Sequence, residues 1–150
     1  MHVRRAIREA VAIKLTGLPL TGERVFTSRV RELRDNELPA LIVETPSESV
    51  SYGQGGPVRP RVQSREQVVN VVVVASAAED VDDVLDDIAE QVEAALAADP
   101  TLGLGAKDLR LTGTQSAIAG DGPDLRGVAR LQYTVSVSTR EGVPQSMHAA

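Results

Sequence analysis

The sequence predicts an α+β fold: a mixed, mostly antiparallel β-sheet with two α-helices packed on one face and a long, hairpin-like loop or arm. Three observations predict it. Two segments repeat apolar residues at helical spacing. Other segments carry the β-branched or alternating pattern of strands. Their order, helix, strand, strand, strand, helix, strand, strand, lets both helices cover one dry sheet face in two layers. The 150 residues, 42% hydrophobic and 25% charged, suit one globular domain. Residues 1–140 are expected to form it, with 141–150 a loosely ordered tail.

Val3, Ile7, Ala10, Val11 and Leu15 share one face of the first helix, and Arg4, Arg5, Arg8 and Glu9 the other. Thr16-Gly17 and then Pro19 stop it, because glycine accepts a left-handed cap and proline cannot continue a helix. Arg24–Val30 reads as an edge-like strand, and Pro39–Glu44 as an apolar strand with proline at its permitted first position. Pro46–Pro60, rich in Ser, Glu, Gly and Pro, reads as a long loop, and Ser47–Pro57 as mobile in the isolated subunit. Arg61–Ala75 is one long strand. Its first half is polar on both faces and is expected to project as an arm, whereas Val68–Val74 is expected to be buried centrally.

Asp80–Ala98 is the second helix, with Val81, Val84, Leu85, Ile88, Val92, Ala95 and Leu96 along its apolar stripe. Ser76-Ala-Ala-Glu79 fits a capping box, and the early aspartates suit the positive end of the helix dipole. Asp108–Ile118 and Gly127–Thr139 are the last strands. In the second of these, Leu131, Tyr133, Val135 and Val137 alternate with Arg130, Gln132, Thr134, Ser136 and Ser138, so one face is dry and the other wet.

Composition removes most familiar chemistry. There is no Cys, hence no disulfide, thiolate metal site or cysteine nucleophile. His2 and His148 stand at opposite ends, so no His-based metal cluster is expected. Aromatic residues make up 2% (Phe26, Tyr52, Tyr133), too few for a base-stacking platform. The net charge of -5 argues against a DNA reader. The charge is bipolar: Arg4, Arg5, Arg8, Lys14, Arg24, Arg29, Arg31 and Arg34 crowd the first 35 residues, while 67–105 contains acidic residues and no basic one. Val71–Ala75 is the longest apolar run, far short of a membrane span, and a soluble protein assembled inside the cell is expected.

No motif for catalysis or cofactor binding survives inspection. Gly53-Gln-Gly55-Gly56 lacks the Lys-Ser/Thr of a phosphate loop and precedes a strand, so it reads as a linker. Asp80, Asp82, Asp83, Asp86 and Asp87 lack calcium-loop spacing, since Val84 and Leu85 hold the fifth and sixth places; they read as a solvated helix face, or one that meets a basic partner. Arg4, Arg5 and Arg8 read as a solvated face rather than a DNA contact. No enzyme, cofactor or metal is expected.

The first helix leading into Leu15-Thr-Gly-Leu-Pro19, then Thr21-Gly-Glu-Arg-Val-Phe-Thr-Ser-Arg29, resembles minor tail protein U, the tail terminator family of long-tailed bacteriophages. Leu38–Pro46, the acidic helix ending Glu93-Ala-Ala-Leu-Ala97, Leu109–Thr114 and Gly127–Tyr133 continue the likeness to about Arg140. It implies a sheet with two helices on one face and a hexameric ring. It also implies a virion protein, assembled in the host cytoplasm, at the head-proximal end of the tail. There the ring caps the tube, stops its growth and meets the head connector or neck protein. Its partners would be its own copies, the tail tube protein and that connector, with neither membrane nor specific nucleic acid. Other readings are a different ring-forming neck protein, or a small ligand-binding domain or enzyme with a loop lid. With the bipolar charge, the resemblance marks three groups for a subunit or tube interface. They are Arg4, Arg5 and Arg8; the arm residues Tyr52, Gly53, Gly55, Gly56, Arg61 and Arg65; and Asp82, Asp83, Asp86, Asp87 and Glu90.

Overall fold

Helical spacing at the N-terminus becomes helix α1, Val3–Leu15, in the computed structural model, which describes residues 1–27, 32–53, 58–77, 79–120 and 125–147. Val3, Ile7, Val11 and Leu15 are buried at intervals of four, one stripe of a helix with 3.6 residues per turn. His2 caps it, its Nδ1 accepting from the Arg4 N–H at 3.0 Å. Beyond Thr16 the chain turns at Gly17, where φ is +92°, a conformation that costs a residue with a side chain. A short strand β1, Val25–Thr27, follows, and the rest of the strand expected to Val30 lies outside the described residues.

Strand β2 runs Ala40–Tyr52 and β3 runs Val62–Ser76. The loop expected from Pro46 is therefore a strand as far as Tyr52. Ser47 pairs with Val68 and Tyr52 with Gln63. Proline sits where the register slips between Glu44 and Ser47, a bulge that tolerates its missing N–H. Polar composition suggested a loop, but a strand needs only a partner for its backbone, and β3 supplies one. The polar half of β3 is also not a free arm. It is paired on both sides, by β2 and by strand β5, Arg126–Arg140, from Val62↔Arg140 onward.

Helix α2, Val81–Ala97, buries Val81, Leu85, Ile88, Val92 and Leu96. The expected capping box is absent. Ser76 is the last residue of β3, opposite Arg126, and the N-cap is Asp80, whose side chain makes no capping bond. Strand β4, Asp108–Ala119, forms a sheet edge and is exposed along most of its length. The tail expected to be loose contains strand β6, Val143–Met147, which pairs with the end of β5 through Thr139↔Met147. Residues 148–150 lie outside the described residues.

The sheet order is β1-β2-β3-β5-β4, with β6 beside β5; only β1 and β2 are parallel. Both helices cover one face, α1 over β1 and β2, α2 over β3 and β5. Val69, Val71, Val73, Leu131, Tyr133, Val135 and Val137 meet them in one core. Each large side chain buried there contributes about 1.5–3 kcal/mol. The opposite face is not wet throughout. Leu33, Ala40, Val72 and Val74 form a second apolar cluster there, with Phe26, Ile42 and Val128 packed against it.

Candidate functional site

Where the sheet outruns the core, the helix-side face of β2, β3 and β5 becomes polar. Glu48 and Gln67 are cross-strand partners, as are Arg65 and Val137, and Gln63 and Thr139. Glu48 Oε1 accepts from Arg4 Nη2 and from Arg65 Nη1, each at 2.8 Å. The buried Arg65 also donates to Thr139 Oγ1 at 2.9 Å and to Gln63 Oε1 at 3.1 Å. The N-terminus of α1 is thus tied to the root of the arm through one carboxylate. Two acceptors stay buried without a hydrogen-bond partner, Glu48 Oε2 and Gln67 Oε1. Burial, then the Arg4 and Arg65 charges, lower the pKa of His2 beside this cluster.

At the arm's far end, Arg61 stacks over the Tyr52 ring at 4.2 Å, and the Tyr52 hydroxyl accepts from Gln63 Nε2 at 3.1 Å. Glu141 Oε1 accepts from Arg61 Nη2 at 2.9 Å and Arg59 Nη1 at 3.0 Å. The hydrogen bond from Arg61 holds the Glu141 carboxyl below its ordinary pKa, and raises that of Arg61. The turn between β5 and β6 is thereby fastened to the arm.

The expected interface residues fall into separate places. Arg4 and Arg65 meet on Glu48, and Tyr52 and Arg61 meet at the arm tip beside the exposed Gly53; Gly55 and Gly56 lie outside the described residues. Arg5 Nε donates to Glu9 at 2.8 Å and Arg8 Nη1 to Thr45 Oγ1 at 2.7 Å, so the three N-terminal arginines are engaged within the chain. Asp82, Asp83, Asp86, Asp87 and Glu90 are exposed on α2 and ion-pair with no described residue. Glu48 and Glu141, which organise both ends of the arm, were not singled out from sequence. No apolar alternation marked Glu48, because Ser47–Tyr52 is nearly all polar, and nothing local marked Glu141.

The surface also carries hollows. On the face away from the helices, a cleft of about 310 Å³ is lined by Leu33, Ile42, Val74, Ala117 and Val128, with Arg126 at its edge. On the helix side, a notch of about 190 Å³ lies between α2 and β4. Among the described residues no cluster of His, Asp or Glu is placed to hold a metal ion, and no helix is long and apolar enough to cross a membrane.

No family model matches the chain, and no curated protein matches it in sequence. Among solved structures it is similar to a chain of the virion of a native gene transfer agent particle, at 13% identity and a TM-score of 0.44, over 90% of this chain and 94% of that one.

Proposed function

We propose that this protein is a virion structural component of the tail terminator kind. Its copies form a hexameric ring that caps the tail tube, ends its growth and faces the neck. One observation carries the reading. The sequence blocks that resemble the terminator family fall in order on α1 and β1, β2, α2, β4 and β5, and these build the two-layer fold that the resemblance implies. The arm tip, with Tyr52, Gly53 and Arg61, is the contact with the tube, and Arg4 and Arg65 hold the arm in place. Rings require heterologous contacts, in which each copy offers two different surfaces.

Negative-stain microscopy of the purified protein, alone and mixed with tail tubes, tests this. Six-fold rings seated on one tube end are expected. A monomer that ignores tubes overturns the reading, and rings that bind only the head connector replace it with a neck protein.

A further inference from the structure

The notch beside α2 joins an apolar wall, a buried tyrosine and a row of carboxylates. Leu96, Ala97, Leu109 and Leu111 wall it, and Leu111 is 39% exposed although it is a large apolar residue. Tyr133, only 4% exposed, lies at its base, and its hydroxyl has no hydrogen-bond partner. A buried hydroxyl without a partner is unfavourable, so an incoming donor would be rewarded. Glu93 stands at the opening, continuing the row of Asp83, Asp86 and Glu90 along α2. Those four carboxylates are exposed and ion-pair with no described residue.

We infer that this notch docks a basic segment of a different protein, one arginine or lysine of which inserts beside Glu93. Its methylenes would lie on Leu109 and Leu111, as long cationic side chains lie on apolar surface, with the charged head at the Glu93 carboxylate. A head group N–H would reach the Tyr133 oxygen once the side chains covering it move aside, since that oxygen has no exposed surface in the empty notch, and flanking basic residues would face Glu90 and Asp86. Charge selects the class of partner. Nucleic acid and acidic peptides are repelled by the carboxylate row. A second copy of this chain is a poorer donor than a basic segment, because Arg4, Arg5, Lys14, Arg61, Arg65 and Arg110 are already ion-paired to its own carboxylates, only scattered cations such as Lys107 and Arg140 stand outside those pairs, and its net charge is -5. The inference goes beyond the terminator reading and does not depend on it.

A fluorescein-labelled hexa-arginine peptide, titrated by anisotropy against the full chain, tests it. Binding at about 50 mM salt that weakens at about 300 mM is expected, since exposed pairs are screened. Glu93→Gln and Leu111→Ser should each weaken binding about fivefold, and Tyr133→Phe about threefold, each step being near or below 1 kcal/mol. Asp82→Asn, the same charge change at the other end of α2, should alter it less than about twofold, since it lies outside the notch. Circular dichroism confirms that each variant is folded. No binding by the unaltered protein, or equal losses from Glu93→Gln and Asp82→Asn, overturns the proposal. So does sedimentation in which Glu93→Gln abolishes self-association, which would make the occupant a second copy. Ring formation on tubes is read separately, so either idea can fail without the other.

Discussion

A single carboxylate oxygen, Glu48 Oε1, holds two guanidinium groups at 2.8 Å, and side-chain exposure of only 13% for Glu48 and 10% for Arg65 keeps water from replacing it. Removing one partner of such a pair leaves the other buried and uncompensated. Glu48→Ala should therefore cost about 3 kcal/mol in urea unfolding, and adding Arg65→Met should restore much of it by removing the stranded charge. A loss well under 1 kcal/mol would mean that Arg65 simply turns to solvent. The Glu141 side chain is 18% exposed, little more than that of Glu48. Its pKa is lowered from 4.5, chiefly by the hydrogen bond from Arg61. The stability this adds is present above the ordinary carboxyl range and is lost as pH falls through the depressed value. Acidification below about pH 4.5 should consequently destabilise the unaltered protein more than Glu141→Gln, as measured by thermal melts at pH 7 and in acid. Equal acid sensitivity of the two would remove Glu141 from the account.

α2 and β5 approach closely at Gly127. A Cβ built on Gly127 would lie 2.6 Å from Val81 Cγ2 and 2.8 Å from Leu85 Cδ1. These are ends of core side chains at the first turns of α2, so Gly127→Ala should push the helix start outward at about 1–3 kcal/mol, the usual cost of overpacking. Denaturant unfolding measures the cost. The companion Gly127→Ala/Leu85→Ala should recover little, since it trades the clash for a cavity. Elements with a strong period were legible from sequence. α1 was expected over its observed span, and α2, β4 and β5 to within a residue or two. The end of β2 was not legible, because Ser47–Tyr52 is nearly all polar and gains its strand character from pairing with β3. β6 was missed for the same reason: it is short, and it exists by pairing with β5.

At the scale of the whole molecule, the bipolar charge of the sequence is rearranged by folding. Most of the N-terminal basic charge is neutralised or hydrogen-bonded inside the chain, while the acidic face of α2 stays open. The sheet face away from the helices carries Arg130 beside Glu44 at 3.9 Å and Arg110 beside Glu66 at 3.3 Å, so these two cations are already matched by carboxylates. A ring of such subunits should bind duplex DNA undetectably or very weakly near physiological salt, since few phosphates would be neutralised. A fluorescence titration of the assembled ring with labelled duplex checks it, and sub-micromolar, salt-sensitive binding would reverse the expectation.

By itself the sequence determined the α+β class, the two helices and their buried stripes, and the central burial of Val69–Val74, the half-buried Val68 falling outside it, because these follow from the periodic placement of apolar residues along a local stretch. It also determined an absence of cysteine and a near absence of aromatic residues, which limit chemistry however the chain folds. Only the tertiary structure decided that Pro46–Tyr52 is strand, that Arg4 and Arg65 converge on Glu48, that Glu141 fastens the arm, and that an acidic helix borders a notch with an unpartnered tyrosine at its base. Those outcomes depend on which strand lies beside which and in what register. Residues 17 and 80 positions apart become hydrogen-bonding neighbours in that way, and no local pattern encodes the pairing.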